Sequence, residues 1–355
     1  FTCDSYMKCI NLFYLQSTIF NPVSFNMAVI RTNWTLEEVS NIYNSPLLEL
    51  IYRAAKIHEM HQAIGEVQVN TLLSIKTGGC PEDCSYCPQS ARYNTDVEPA
   101  GLLPINEVLD SAQRAKDAGS TRFCMGAAWR KVRDNKDFDN VLEMVRGVND
   151  MGLEVCATLG MLTPEQANRL KEAGLTAYNH NLDTSDDFYS SIITTRTYED
   201  RLTTISHVQK AKISVCSGGI IGLGETNEDR IKMLHTLSTL SEHPESVPVN
   251  ALIAVEGTPL EHQKRVSVWE MARMIATARI LMPDAMVRLS AGRVEMPVTE
   301  QAICFLAGAN SIFAGEKLLT TPNNTVDEDH SMFELLGLKP RVAHKNRRSE
   351  PLIEA

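Results

Sequence analysis

Eight short apolar runs of strand length, each followed by a helix candidate, constrain this chain more than any other feature. The runs are Val67–Lys76, Arg122–Ala127, Glu154–Leu159, Ala177–Asp183, Ser214–Ile220, Val247–Val255, Met286–Ser290 and Ser311–Ala314. Thr163-Pro-Glu-Gln166 and Ser267-Val-Trp-Glu270 have the spacing of helix-starting capping boxes, Gly174 closes the first of these helices, and Gly119 and Gly152 sit where C-caps belong. Near the start, Thr35-Leu-Glu-Glu38 is a further box and Ser45-Pro46 opens the amphipathic stretch Leu47–Met60, so two helices are expected to pack across one end. Eight strand–helix units predict an α/β chain closed into a (β/α)8 TIM-type barrel with an N-terminal helical extension. The rival is an open doubly wound sheet. Against it, Gly218-Gly219-Ile-Ile-Gly222-Leu-Gly224-Glu225-Thr226 lacks the G-x-G-x-x-G order of a dinucleotide loop. That segment reads as a tight turn capped by Thr226 or Asn227, or as a turn that also brings backbone close to a ligand.

The expected organisation is a poorly ordered extension over 1–26, capping helices over 27–66, the barrel over 67–320, and a C-terminal helix and tail over 321–355. Residues 1–26 carry neither a long apolar stretch nor the Arg-rich pattern of a transit peptide, and Met27 reads as a natural start, leaving Cys3 and Cys9 without a function. The balance of 34 Lys+Arg against 44 Asp+Glu gives a net charge of −10 with no basic block, which argues against nucleic-acid and anionic-membrane partners. Nine cysteines in a large acidic chain without a clear signal peptide read as thiols or metal ligands in a reducing, cytoplasmic compartment.

Three of those cysteines share one loop, Cys80-Pro-Glu-Asp-Cys84-Ser-Tyr-Cys87, and no Cys or His follows until Cys124. A closed structural zinc site wants four ligands, so the loop is one short, and ferredoxin-type runs differ in spacing. Three thiolates fit a [4Fe–4S] cube whose fourth iron stays open to a small molecule. Further polar residues stand where barrel strands should be apolar: Cys124, Cys156, Cys216 and Arg288, one on each of four strands. A single buried Cys is commonly a small hydrophobe, but a buried guanidinium with no local carboxylate needs a partner. The four together suggest a second, smaller cluster or a deeply buried anion. Asn179, Asn181 and Asp183, at i, i+2 and i+4, would share one strand face, with Asn250 breaking the sixth strand similarly. Such groups suit ribose hydroxyls, a ureido ring or an adenine edge, or they satisfy one another as an amide ladder. Thr320-Thr321 suits a carboxylate or a simple turn. Alternation points His180 away from the lumen, and Cys304 falls on an apolar helix face. No Ser-His-Asp, H-E-x-x-H or Walker pattern supports hydrolysis or phosphoryl transfer.

From Trp34 to about Pro340 the chain resembles the biotin synthase family of radical S-adenosylmethionine enzymes. The likeness is carried by Leu73-Ser-Ile-Lys-Thr-Gly-Gly-Cys80 with the loop after it, Tyr178-Asn-His-Asn-Leu-Asp-Thr184, Ser217-Gly-Gly-Ile-Ile-Gly-Leu-Gly-Glu-Thr226, Val287-Arg-Leu-Ser-Ala-Gly-Arg293 and Lys317-Leu-Leu-Thr-Thr-Pro-Asn323. The resemblance implies insertion of sulfur between C6 and C9 of dethiobiotin, with S-adenosylmethionine, a [4Fe–4S] cluster on Cys80, Cys84 and Cys87, and a [2Fe–2S] cluster on Cys124, Cys156, Cys216 and Arg288. It assigns Asn181 and Asp183 to the cofactor ribose and Arg201 to the neighbourhood of its carboxylate. Asn179 and Asn250 fall to the dethiobiotin ring, and Thr320 and Thr321 to its carboxylate. It implies a homodimer and an electron donor such as flavodoxin or ferredoxin. Departures from the family pattern are Gly126-Ala-Ala128, where many radical enzymes carry Gly-Gly-Glu, and the loop Lys131–Phe138. Lipoyl synthase is the near alternative, but no additional N-terminal cysteine cluster of its kind is present.

Overall fold

The computed structural model describes residues 30–315 and 317–343. The extension 1–26 with Cys3 and Cys9, Met27 after it, and the tail beyond 343 lie outside the described residues. Among the described residues the strands run β1 (Glu66–Lys76), β2 (Arg122–Ala127), β3 (Glu154–Thr158), β4 (Ala177–Asn179), β5 (Ser214–Cys216), β6 (Gly219–Ile221), β7 (Ser246–Ala251), β8 (Met286–Leu289), β9 (Ser311–Ala314), β10 (Lys317–Leu318), β11 (Thr321–Pro322) and β12 (Lys339–Pro340). The barrel order is β1-β2-β3-β4-β5-β7-β8-β9, and β9 returns to β1 in parallel, so the sheet closes. β6 continues the β5 position by pairing with β7, giving the expected eight positions. β12 adds to the start of β1, and β10 and β11 form a hairpin beyond β9.

The helices start where their caps predict. Thr35, Thr163 and Ser267 each accept from the backbone N–H three residues on while that residue's side chain returns the bond, and Thr226 does so with Asp229. Gly174 leaves its helix in the left-handed conformation, with φ of 95°. The leading helices Leu36–Tyr43 and Leu47–His61, expected across one end, instead lie along the outer helices Asn227–Ser238 and Val268–Leu281. His61 and Gln62 do reach the barrel's N-terminal end, bonding Asp284 and the Pro283 carbonyl.

Several strands are shorter than their apolar runs: β3 stops at Thr158, β7 at Ala251 and β8 at Leu289. Two departures shape the site. The fifth run breaks at Ser217-Gly218, because the register from Cys216↔Ser246 to Gly219↔Val249 sets Pro248, which has no N–H, opposite Gly218. The chains also approach closely there, since a Cβ on Gly218 would lie 2.0 Å from the Pro248 carbonyl oxygen. The fourth strand ends at Asn179 instead of Asp183, so strand alternation does not place Asn181 and Asp183. The Asn181 side chain accepts from Gly218 N–H at 3.2 Å, taking a donor that a continued ladder would use, and Asp183 turns left-handed with φ of 68°. A buried ionic plug closes the barrel's other end: Arg122 pairs with Glu154 at 2.7 Å and Glu245 at 2.9 Å.

Candidate active site

A cavity of about 340 Å³ opens at the C-terminal ends of the strands, and all the predicted site residues line it except Cys216, which is fully buried beside it. The three-cysteine loop forms one wall. Cys80 N–H donates to the Gln89 carbonyl at 3.0 Å, Cys87 N–H to the Cys84 carbonyl at 2.9 Å, and Ser90 Oγ to the Glu82 carbonyl at 2.5 Å, so the loop is folded on itself. Asp83 docks it onto the neighbouring loop by accepting from Thr194 N–H at 2.9 Å and Thr195 N–H at 3.2 Å. Burial raises the Asp83 carboxyl, but the Thr194 and Thr195 hydroxyls together with these N–H groups outweigh it and hold it down to about 2. Burial pushes the Cys80 and Cys84 thiols up, and burial with the neighbouring Cys84 pushes Cys87 up to about 12. Loading metal here must therefore expel protons.

Tyr86, between the second and third cysteines, donates its hydroxyl to Asp183 Oδ2 at 2.8 Å. The same carboxylate oxygen receives Arg201 Nη2, while Arg201 also donates to Tyr189 Oη and the Asn181 carbonyl, each at 2.8 Å. Asn179 Nδ2 donates to Asn181 Oδ1 at 3.1 Å, and Asn179, Asn181 and Asp183 all line the cavity, with Arg201 joining the Asn181 carbonyl to the Asp183 carboxylate. Asn250 bridges the opposite wall, donating to the Gly219 carbonyl at 2.9 Å and accepting from Ala291 N–H at 3.3 Å. Thr320 and Thr321 come from the β10–β11 hairpin, where Thr321 Oγ1 donates to the Leu318 carbonyl at 3.1 Å.

The floor carries the second thiol set. Register pairs Cys124 with Cys156 across β2 and β3, and Asn179 with Cys216 across β4 and β5. The Cys156 thiol bonds the Cys124 sulfur, lowering Cys124 and raising Cys156, while burial raises Cys216. Asn179 Nδ2 lies 3.3 Å and Arg288 Nη1 3.7 Å from Cys216 Sγ. Arg288 is 1% exposed, yet its partners are neutral: Ser311 Oγ at 3.0 Å, Asn70 Oδ1 at 3.4 Å and the Phe313 ring at 4.6 Å. A desolvated cation without a carboxylate is the counterpart of an anionic occupant.

Both sets fit iron–sulfur clusters. Among the described residues no three His, Cys, Asp or Glu side chains converge as a single metal ion requires. A cluster wants a looser set, because its thiolates bind different iron corners around a shared void. All seven described cysteines are free thiols.

Sequence reasoning missed several contributors. Arg196, largely covered in the turn between helices Asp186–Ile192 and Tyr198–Lys210, sits 3.8 Å from Cys84 Sγ and 4.0 Å from the buried carboxylate of Glu82. Asn70 and Ser311 orient Arg288, and their signal was polar residues inside the first and eighth apolar runs. His180, expected to face away from the lumen, is instead among the residues lining the cavity, buried with its ring near Tyr178; burial, then Arg201 and Arg196, drives it well below the usual histidine range. Cys304 is buried in the packing core, as expected.

The Radical SAM superfamily model matches residues 74–237, and the Biotin and Thiamin Synthesis associated domain matches 248–339. Biotin synthase of Cytophaga hutchinsonii is 70% identical over 320 residues, covering 90% of this chain and 95% of that protein. Mitochondrial biotin synthase of Arabidopsis thaliana is 62% identical over 312 residues, covering 88% and 82%. Among solved structures, methylornithine synthase superposes with a TM-score of 0.73 at 19% identity, covering 86% and 94%, a likeness of fold alone. With two relatives this similar over most of their length, and a closed parallel barrel beneath them, the chain belongs to the biotin synthase family of radical S-adenosylmethionine enzymes.

Proposed function

We propose that this chain forms biotin from dethiobiotin by radical insertion of sulfur between C6 and C9. The observation that carries the reading is one cavity with two separate thiol sets, the deeper one facing a buried guanidinium that has no carboxylate. The C–H bonds at C6 and C9 are unactivated, and no side-chain base can deprotonate them, so cofactors must do that step. When bound, the [4Fe–4S] cluster with S-adenosylmethionine supplies a 5′-deoxyadenosyl radical, and the [2Fe–2S] cluster supplies sulfur.

The protein's own task is to hold, orient and shield. Cys80, Cys84 and Cys87 would hold the first cluster, and Cys124, Cys156, Cys216 and Arg288 would hold the second. Asn181 and Asp183 take the cofactor ribose and Arg201 lies near its carboxylate. Asn179 and Asn250 take the dethiobiotin ring, with Thr320 and Thr321 at its carboxylate. The closed barrel excludes water and rival hydrogen donors from the space between the clusters. The reading includes a homodimer and a one-electron donor such as flavodoxin or ferredoxin. Lipoyl synthase chemistry is disfavoured because the remaining cysteines, Cys3, Cys9 and Cys304, share no motif.

Anaerobic reconstitution tests the proposal. It expects two spectroscopically distinct clusters, reductant-dependent 5′-deoxyadenosine, and biotin only when dethiobiotin is present. A fully reconstituted chain with a single cluster type overturns the sulfur-donor role of Cys124, Cys156 and Cys216.

A further inference from the structure

Leu319 holds a backbone conformation that a leucine rarely adopts. It is the first residue of the two-residue turn between β10 and β11, with φ of 56°. Turns of this kind favour Asn or Gly, because a bulky side chain at positive φ crowds its own carbonyl at a cost of about 1 kcal/mol or more. The side chain gives the reason for the strain. A Cβ on Gly126 would lie 2.7 Å from Leu319 Cδ2, so the leucine rests on bare backbone at the C-terminal end of β2. Both residues line the cavity. The root of the hairpin is pinned: buried Asn323 donates to the carbonyls of Phe313 at 3.0 Å and Gly315 at 2.8 Å. Arg293 donates to the same Phe313 carbonyl at 2.7 Å and pairs with Asp329 of the helix that follows.

We propose that Leu319 is the seal of the cavity on its β2 side, and that this seal keeps radical formation coupled to the substrate. The inference rests on the function proposed above. With the seal in place, the 5′-carbon takes its hydrogen atom from a substrate C–H bond. With it removed, a thiol reductant reaches the site and gives up its S–H hydrogen instead. The thiol leaves as a thiyl radical, and 5′-deoxyadenosine forms without biotin.

The test compares the anaerobically reconstituted chain with Leu319→Asn, which suits the turn and keeps the fold, and Leu319→Met, which restores apolar cover. Assays run in D2O with dithiothreitol as the thiol. Leu319→Asn is expected to make several-fold more 5′-deoxyadenosine per biotin, with deuterium in its 5′-methyl group. It should also release iron to a chelator several-fold faster, read as loss of visible absorption. Leu319→Met should behave as the parent does. Leu319→Asn with the parental product ratio, deuterium content and iron-release rate overturns the seal. A parent chain that makes no 5′-deoxyadenosine overturns the function proposal instead, and iron release alone then decides for or against the seal.

Discussion

Replacing Arg288 by Met should change stability in opposite directions with and without clusters. In the cluster-free chain the guanidinium makes one charge-assisted hydrogen bond, to Ser311, worth about 2 kcal/mol, and one desolvated contact with Phe313, also about 2 kcal/mol. Asn70 at 3.4 Å and Cys216 at 3.7 Å add little. Against this stands an effective desolvation penalty of several kcal/mol per buried ion. Methionine removes the penalty and returns about 2 kcal/mol of apolar burial. Ser311 keeps its bonds to Asn70 Nδ2 and Gln68 Oε1, both at 3.0 Å, and the one partner given up is the long 3.4 Å bond to Asn70 Oδ1, whose loss offsets part of the gain. Urea unfolding of cluster-free Arg288→Met should therefore give a stability equal to the parent or up to about 2 kcal/mol higher. The reconstituted variant should lose stability or absorption from the second cluster, because the anion has lost its cation. A loss of about 3 kcal/mol or more without clusters would refute the reasoning, since that is the signature of a structural ion whose partners depend on it.

Three further outcomes are expected. Asp183→Asn keeps the shape but leaves buried Arg201 without its carboxylate and weakens the Tyr86 bond; urea unfolding should register a loss of about 3–5 kcal/mol, and a loss below about 1 kcal/mol would contradict the pairing. His58 is held by burial, then by Arg279, at about 4 against an ordinary 6.5. Below pH 6.5 the unfolded chain takes up a proton that the folded chain refuses, so stability should fall by up to about 3 kcal/mol between pH 6.5 and 4. His58→Gln should flatten that part of the urea-midpoint profile, and an unchanged slope would remove His58 as its source. Gly218→Ala must force the fifth and sixth barrel positions apart, and a thermal melt should show destabilisation of about 3 kcal/mol or more.

The barrel was legible because its signals are local and repeated. Capping boxes at Thr35, Thr163 and Ser267 are complete within four residues, and each apolar run buries wherever a parallel sheet covers both faces. The thiol sets were legible for a related reason: a cysteine or arginine inside such a run has nowhere to point but the helix layer or the lumen. The wall at Asn179, Asn181 and Asp183 shows the limit of that logic. Its residues line one cavity, but with the Gly218 amide captured by Asn181 opposite Pro248 and with Asp183 in a left-handed turn. No period in the fourth strand's own sequence encodes that. Arg196 was invisible for the same reason, because a loop fixes its place beside Cys84 through contacts hundreds of atoms distant in the chain. Sequence thus names the residues that cannot be tolerated without a purpose. Which of them meet is decided by breaks in the ladder, and in this chain the breaks lie at the C-terminal rim, where a barrel can leave backbone unpaired without losing its core.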